Sequence, residues 1–310
     1  MYLKISGNCK ISGLCKLHNS AIIEFAGQCG GESFVFCLDV IGSQLYAGTY
    51  PSGKVWRYDG GTTWTDIGRC GSETHIFCLD HIGSQLYAGS GPAGTIWRYD
   101  GGTTWTSIGR CGSETAVRCL DHISSQLYAG TTTSGNVYRY DGGTTWTSIG
   151  PGRAWIYSLA VIGTTLYAGT SAGGEVLYYD GSSWTSMGRP SGVNSHVLSM
   201  VVIGSTLYVG TYPYGMVFRY DGGTSWTNCG RCGNETYVLS LAVIGSTLYA
   251  GSAAGSSPGV WRWNGVSTWT LIGKCGTNVS IYSLAVKEIT QLYAGGADAG
   301  TVWHYNSDNA

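Results

Sequence analysis

The sequence predicts an all-β fold, and three observations lead to that prediction. The 310 residues include 50 Gly, 12 Trp and 22 Tyr but only 11% charged residues, which is typical of a large core broken by frequent turns. Short β-rich runs follow one another, separated by Gly-rich turns about every ten residues. A LYAG or LYVG motif also recurs, with a period of 41, 41, 39, 41, 41 and 44 residues. Its Leu residues are Leu45, Leu86, Leu127, Leu166, Leu207, Leu248 and Leu292.

Each complete repeat unit contains four such runs. In the second unit they read HIFCLDHI, SQLYAG, TIWRYD and TTWTSIG, and no helix-period segment of useful length interrupts them. An array of four-stranded units of about 40 residues is typical of a β-propeller, in which neighbouring blades bury both faces of each twisted sheet. The sequence therefore predicts a single seven-bladed β-propeller over residues 21–310, with residues 1–20 as a lead-in.

The two ends of the chain predict how the ring closes. The seventh unit stops after its third strand, whereas the N-terminus carries an unattached run, SAIIEFAGQCGGE. Gly27 and Cys29 in this run align with Gly68 and Cys70 one period later. We therefore expect residues 21–26 to form the outer strand of the last blade, which would remove an open sheet edge that could template aggregation.

The turn between the third and fourth strands is nearly copied. It reads YDGGTTW or YDGGTSW, and it resembles the Asp-box of the BNR-repeat propellers, which include sialidases and sortilin-type domains. In that family Ser or Thr usually stands two residues before the Asp, where this chain has Arg. The resemblance implies a fold element without an activity. We expect the Asp to accept backbone N–H bonds and the Trp to pack against the next blade. The four turns begin at Asp59, Asp100, Asp141 and Asp221.

Packing alone can explain a residue that recurs in every unit, whereas a site for one ligand should break the symmetry. The Tyr of the LYAG motif and the Arg of the third strand recur, so both are predicted to be structural. The Arg would stack on aromatic rings or pair with the turn Asp. The sequence contains no GxSxG, no metal-spaced His pair and no early Arg-Ile-Pro motif of the kind sialidases usually carry. We therefore expect no catalytic residues, and a hydrolase or lyase with one axial site remains the enzymatic alternative.

The loop that enters the next unit carries the first candidate binding residues. It reads GRCGSET or GRCGNET and would offer a donor and an acceptor beside aromatic residues, which suits sugar hydroxyls. The alternative is a local ion pair that pins the loop. The pairs are Arg69 with Glu73, Arg110 with Glu114, and Arg231 with Glu235.

Aromatic residues near the same loops form the second candidate set. In propellers these loops share a face with the loops between the second and third strands, where ligands usually bind. Aromatic side chains at such a rim are common contacts for glycans and proteins, and ordinary loop filling is the alternative. The candidates are Tyr50, His75, Trp155, Tyr212 and Tyr214.

Carboxylates form a third cluster, late on the innermost strands of the first three units. Asp39, Asp80 and Asp121 occupy equivalent positions, with His81 and His122 beside the last two. Three carboxylates that converge on the axis could hold a cation, but near-copying of the three units also explains the cluster. We therefore predict no metal site and no cofactor.

Charge and cysteine content limit which kinds of partner and which cellular compartment the sequence predicts. The net charge is −1 with both signs scattered, which argues against a nucleic-acid partner, and no apolar run is long enough to span a membrane. Eleven Cys is an odd number and no secretory signal precedes them, so we expect mostly free thiols and favour the cytoplasm over secretion. The CGRC at Cys229 to Cys232 lacks the context of a redox or zinc motif.

These observations predict a monomeric, non-enzymatic binding module. The first hypothesis is multivalent carbohydrate binding on the loop face, in which several weak sites add avidity. The alternative is a protein-interaction scaffold that uses the same rim as one continuous surface.

Overall fold

The computed structural model describes residues 23–152, 155–171, 173–190, 195–276, 280–297 and 299–307. Within these residues 28 strands form seven four-stranded sheets, which confirms the predicted seven-bladed propeller. The first strand, β1 (Ile23–Gln28), belongs to the last blade, and the other strands are arranged blade by blade in chain order.

Blades 1 to 3 follow the same plan, from the innermost strand outward. Blade 1 contains β2 (Phe34–Ile41), β3 (Gln44–Tyr50), β4 (Lys54–Gly60) and β5 (Thr63–Arg69). Blade 2 contains β6 (His75–Ile82), β7 (Gln85–Gly91), β8 (Thr95–Gly101) and β9 (Thr104–Arg110). Blade 3 contains β10 (Val117–Ile123), β11 (Gln126–Thr131), β12 (Val137–Gly142) and β13 (Thr145–Gly150).

Blades 4 to 7 vary more in the length of their outer strands. Blade 4 contains β14 (Ile156–Ile162), β15 (Thr165–Thr170), β16 (Val176–Tyr179) and β17 (Trp184–Ser186). Blade 5 contains β18 (His196–Ile203), β19 (Thr206–Tyr212), β20 (Met216–Gly222) and β21 (Ser225–Arg231). Blade 6 contains β22 (Tyr237–Ile244), β23 (Thr247–Ala253), β24 (Val260–Trp263) and β25 (Trp269–Gly273). Blade 7 contains β26 (Ile281–Glu288), β27 (Gln291–Gly296) and β28 (Thr301–Asn306), followed outward by β1.

The hydrophobic core lies between neighbouring blades. The cluster between blades 1 and 2, for example, combines Cys37 and Val55 of blade 1 with Ile76 and Leu86 of blade 2. The Gly of the LYAG motif permits this close approach, since a Cβ at Gly48 would lie 2.5 Å from both Cys37 Sγ and Ile76 Cγ2. The LYAG motif thus recurs because each blade packs closely on the next.

The N-terminal strand closes the ring as predicted. β1 pairs antiparallel with β28, with Ile23 opposite Tyr305 and Phe25 opposite Trp303. The rings of Phe25 and Trp303 lie 5.4 Å apart, edge to face. The strand runs from residue 23 to residue 28 instead of 21 to 26, and residues 1–22, including the predicted lead-in, lie outside the described residues.

The copied turn is structural, but two details of its predicted role are wrong. The carboxylate of Asp59 accepts from Arg57 Nε at 2.8 Å and from the Thr65 hydroxyl. Among the described residues, the expected backbone N–H bonds form only in the shorter turn at Asp180. The Trp packs against the preceding blade instead of the next one, because Trp105 Nε1 donates to Ile67 O at 3.0 Å. The sheet face that carries this Trp is turned toward the preceding blade.

The repeated Arg pairs with the turn Asp, which confirms one of the two predicted roles. Each pair joins residues two apart on an exposed part of the third strand. The pairs are Arg57 with Asp59, Arg98 with Asp100, Arg139 with Asp141, and Arg219 with Asp221, at 2.8 to 2.9 Å.

The cysteines of the described residues are free and buried, which confirms the expectation for nine of the eleven. Burial raises the pKa of the Cys229 thiol to about 11, so it lacks the reactive thiolate of a redox motif. Within residues 23–307, apart from the gaps given above, no helix is long and apolar enough to cross a membrane.

Candidate functional site

One end of the central channel gathers the candidate residues, and we term it the mouth. The innermost strands begin and the second strands end there, as shown by the pairing of Phe34 with Tyr50 and of His196 with Tyr212. The loops into each blade lie beside the loops between second and third strands, because Gly53 N donates to Thr74 O at 3.0 Å. The sequence prediction that these loops share one face is thereby confirmed.

The predicted Glu residues lie inside the loops. Glu73, Glu114 and Glu235 are only 3%, 1% and 0% exposed. Glu114 accepts from the backbone N of Thr133 at 2.8 Å and of Ser134 at 3.1 Å. Their carboxylates therefore fix the loop between second and third strands of the following blade, and they are closed to a ligand from solvent.

The predicted Arg residues are exposed and bind backbone carbonyls. Arg69 donates to the carbonyls of Ser72 and Glu73, both at 3.1 Å, and Arg231 Nε donates to Glu235 O at 3.1 Å. Arg110 Nε donates to Ala93 O at 2.6 Å. These bonds pin the loop, as the alternative interpretation proposed, but through main-chain acceptors where an ion pair was expected.

Aromatic side chains form one arc of the mouth over blades 7, 1 and 2. Tyr50 and His75 have ring centroids 4.4 Å apart, and His75 stacks on Phe77 at 4.9 Å. Phe36 continues the arc to Phe77 at 5.3 Å and to Tyr282 of blade 7 at 5.1 Å. Two predicted residues, Tyr50 and His75, thus contact aromatic residues that the sequence did not identify as candidates.

A second arc covers blades 4 to 6. Trp155 contacts Tyr157 at 5.9 Å, and Tyr157 lies 6.0 Å from His196. His196 contacts Tyr212 at 5.2 Å, and Tyr212 stacks on Tyr237 at 4.2 Å.

Two predicted aromatic residues extend from this arc into solvent. Trp155 is 45% exposed, and Tyr214 is 53% exposed at the loop that follows Tyr212. The structure thus brings Trp155 and Tyr212 into the arc, while Tyr214 stands on the rim without a ring contact among the described residues.

A β-bulge in every innermost strand places the residues that sequence reasoning missed. In blade 1, Val35 pairs with Thr49 and Cys37 pairs with Gly48, so Phe36 is the extra residue between them. The same register shift occurs in the other six blades, and bulges commonly re-aim a side chain beside functional sites. We term the seven bulged residues the bulge column: Phe36, Phe77, Arg118, Tyr157, Leu198, Leu239 and Tyr282.

The bulge column breaks the symmetry of the ring. The residue before each of its members is Val or Ile in every blade and is fully buried, whereas the bulged residue itself is partly exposed and varies. When the seven units are aligned at LYAG, the bulge column is a varied position next to a constant Val or Ile. The residue types alone, however, do not predict a bulge at that position.

Arg118 is the single charged member of the bulge column. Its guanidinium carbon lies 3.9 Å from the centroid of the Phe77 ring, a cation–π contact. It also interacts electrostatically with Tyr157 of blade 4 and Tyr282 of blade 7, so it reaches toward the axis from blade 3. Its Nε is buried and has no hydrogen-bond partner among the described residues. Burial lowers the pKa of Arg118, which is the expected effect of removing a cation from water.

The opposite end of the channel holds the predicted acidic cluster. Asp39 binds His81 at 2.9 Å, and Asp80 binds His122 at 3.1 Å. Asp121 lacks such a His, and burial followed by the charge of Asp80 raises its pKa to about 7. Asp80, Asp121 and His122 each place a ligand atom within 4.8 Å of the others. The hydrogen bonds to His already engage two of the three carboxylates, so each pair has a role without an ion.

Blade 6 departs from the copied turn. Asn264 stands where blades 1 to 5 have Asp, and Arg262 has no ion pair among the described residues. A groove of about 550 Å³ lies beside it, lined by Arg262, Trp263, Asn264 and residues of β23 and β25.

Comparison with known proteins identifies the fold. No protein-family model matches the chain, and no curated protein matches it in sequence. Virginiamycin B lyase from Staphylococcus aureus superimposes with a TM-score of 0.79 at 7% identity, over 92% of this chain and 99% of that one. YCF48 bound to D1 peptide gives a TM-score of 0.70 at 16% identity, over 93% and 96%.

A third solved structure is the extracellular domain of a hybrid two component system from B. thetaiotaomicron. It gives a TM-score of 0.74 at 19% identity over 92% of this chain. The present chain spans 40% of the length of that protein. At these identities the likeness to all three structures concerns the fold alone, so the chain is a seven-bladed propeller similar in architecture to both enzymes and binding proteins.

Proposed function

We propose that the protein is a non-enzymatic binding module that holds one segment of a partner protein at the mouth. The bulge column is the observation that carries this proposal. Residues that recur in each blade hold the ring together, while the varied residues converge at the axis. One set of varied residues around one axis predicts a single footprint, as a protein scaffold requires.

The chemistry of the mouth supports a protein ligand. Interface residues that dominate binding energy are enriched in Trp, Tyr and Arg and cluster in a central, well-packed area. The mouth offers Tyr157, Tyr282 and Arg118 near the axis, surrounded by the stacked pairs Tyr50 with His75 and Tyr212 with Tyr237. YCF48, a structural neighbour, is described as bound to a peptide.

Carbohydrate binding is the second candidate, and the exposed rim favours it. Trp155 and Tyr214 are about half exposed, and Arg69, Arg110 and Arg231 are exposed on loops at the same end of the ring. The buried carboxylates of Glu73, Glu114 and Glu235 remove the acceptor half of the pockets that the multivalent form of this hypothesis needed. We also infer that the copied turn is structural, as in the Asp-box repeats that it resembles.

Selection from a random peptide library displayed on phage tests the protein-binding proposal. The wild-type protein is the bait, and Tyr157→Ala supplies the mouth variant. The control combines Val266→Ala and Ile289→Ala, which alter two exposed apolar residues in turns at the opposite end of the ring. We expect enriched peptides that bind the wild type and the control but not the mouth variant.

A glycan array run in parallel separates the two candidates. Sugar binding that is lost in the triple variant of Arg69, Arg110 and Arg231 to Ala, with no enriched peptides, would favour the carbohydrate alternative. Peptides that bind the wild type and Tyr157→Ala equally would contradict a site at the mouth.

A further inference from the structure

We infer that the mouth selects a ligand with a carboxylate group, which Arg118 binds at the channel axis. This inference rests on the proposed function, since it names the chemical group of the ligand that the mouth would recognise. Arg118 belongs neither to the residues that recur in every blade nor to the copied turn.

Arg118 has hydrogen-bonding capacity that no described residue uses. A guanidinium carries five N–H donors in a planar fork that matches a carboxylate. No hydrogen bond or ion pair to this side chain occurs among the described residues, and its Nε is buried. A buried donor without an acceptor carries a free-energy penalty, which a ligand oxygen would relieve.

Arg118 differs from the four Arg residues that pair with the copied turns. Arg57, Arg98, Arg139 and Arg219 each bind a carboxylate of the same chain. Arg118 is instead held by the face of Phe77, which orients the guanidinium without using its N–H edge. The guanidinium is therefore oriented in advance, and its N–H groups have no acceptor among the described residues that a carboxylate would have to displace.

The charge along the channel also favours an anion at Arg118. Burial and then Arg118 lower the pKa of His75, and burial lowers that of His196, which favours the neutral imidazole at both positions. The carboxylates of Asp39, Asp80 and Asp121 lie toward the other end of the innermost strands. An anion that enters along the axis from the mouth thus reaches Arg118 before it reaches these three aspartates.

The residues around Arg118 indicate which kind of group carries the carboxylate. Phe36, Phe77, Leu198, Leu239 and two Tyr residues supply the rest of the bulge column. They suit an apolar or aromatic group next to the acid. In a partner protein, an acidic side chain or a chain terminus beside an apolar residue meets this description.

A pair of small molecules tests the inference. The probes are 3-phenylpropionate and 3-phenylpropanamide, which share shape and aromatic ring but differ in charge. Each is titrated into the ¹⁵N-labelled full chain, and the affinity is read from shifts of backbone amide signals in the NMR spectrum. We expect the carboxylate to bind at least about tenfold more tightly than the amide, with shifts centred on the innermost strands at the mouth.

Variants identify the residue responsible. Arg118→Gln removes the charge and should abolish the preference for the carboxylate, whereas Arg118→Lys keeps a charge and should retain part of it. The matched control, Arg98→Gln, alters an exposed Arg that already has its own carboxylate partner. Thermal unfolding of each variant confirms that the ring remains intact.

The outcomes separate this inference from the proposed function. Equal binding of both probes at the mouth, unchanged in Arg118→Gln, would overturn the carboxylate inference and leave the binding function standing. Absence of binding by either probe up to its solubility limit, or shifts confined to another face, would also overturn the inference. The peptide selection would then decide the fate of the proposed function independently.

Discussion

The outer strands of blades 1 to 3 and the bulge column of the same blades differ in how much they vary. In the outer strands, Trp64, Trp105 and Trp146 each donate to a carbonyl of the preceding blade at 2.9 to 3.0 Å. The bulge column has Phe36, Phe77 and Arg118 at one equivalent position. The hydrogen bonds between these blades depend on copied residues, whereas the channel mouth tolerates variation and can therefore acquire a ligand site.

The largest expected effect comes from a copied residue. Trp105→Ala should destabilise the protein by about 3–5 kcal/mol, because it leaves a cavity and an unpaired carbonyl between blades 1 and 2. Denaturant unfolding measures this change. Trp184 of blade 4 is partly exposed, so Trp184→Ala should cost less. An equal or greater loss at Trp184 would contradict the role assigned to burial.

A smaller effect separates the two members of an Arg–Glu loop. Glu114→Gln should cost about 1–3 kcal/mol, since the buried carboxylate accepts several hydrogen bonds that a neutral amide matches poorly. Arg110→Ala should cost less because its guanidinium is exposed. Thermal and denaturant unfolding of both variants tests this order. Similar losses would mean that the Arg contributes as much to the loop as the Glu.

The acidic end of the channel should make stability depend on pH. The pKa of Asp121 rises from 3.8 to about 7 on folding, so the folded state binds more protons than the unfolded state between these values. The contribution of Asp121 is therefore most favourable below pH 4 and is lost as the pH rises toward 7.

Substitution of Asp121 isolates this term. Relative to the wild type, Asp121→Asn should become progressively more stable between pH 4 and pH 8, since its side chain does not ionise. Denaturant unfolding at several pH values gives the difference between the two proteins. A difference that stays constant with pH would show that Asp121 ionises freely in the folded state.

The smallest effect tests the departure in blade 6. Asn264→Asp should restore the ion pair with Arg262 that other blades have, and it should add only about 0–1 kcal/mol because the pair would be exposed. Unfolding at low and high salt measures it, and the gain should shrink as salt screens the pair. A gain insensitive to salt would point to a packing change instead.

The sequence could predict the ring because the features that specify it are local or repeated. The LYAG period sets the number of blades, and the run before Gly27 marks the closing strand. The pairing of Arg57 with Asp59 also follows from their spacing of two along one strand. These features depend on neighbours in the chain or on a repeat, both of which can be read directly.

The mouth could be predicted only in part. Tyr50, His75, Trp155 and Tyr212 were found because aromatic residues in loops are visible in a sequence. Arg118 was missed because a bulge depends on the register between two strands, which residue types do not reveal. The burial of Glu114 was also hidden, since its partners are backbone groups about twenty residues away.

The most direct test of the account compares two residues of blade 4. Tyr157 belongs to the varied bulge column, and Trp184 to the copied turn. The affinity of a selected peptide and the free energy of unfolding are measured for Tyr157→Ala and Trp184→Ala. We predict that Tyr157→Ala loses at least about tenfold in affinity with the smaller loss of stability, while Trp184→Ala keeps its affinity and loses more stability. Full affinity in Tyr157→Ala, or a loss of affinity in a folded Trp184→Ala, would contradict the claim that the varied axial residues form the binding site.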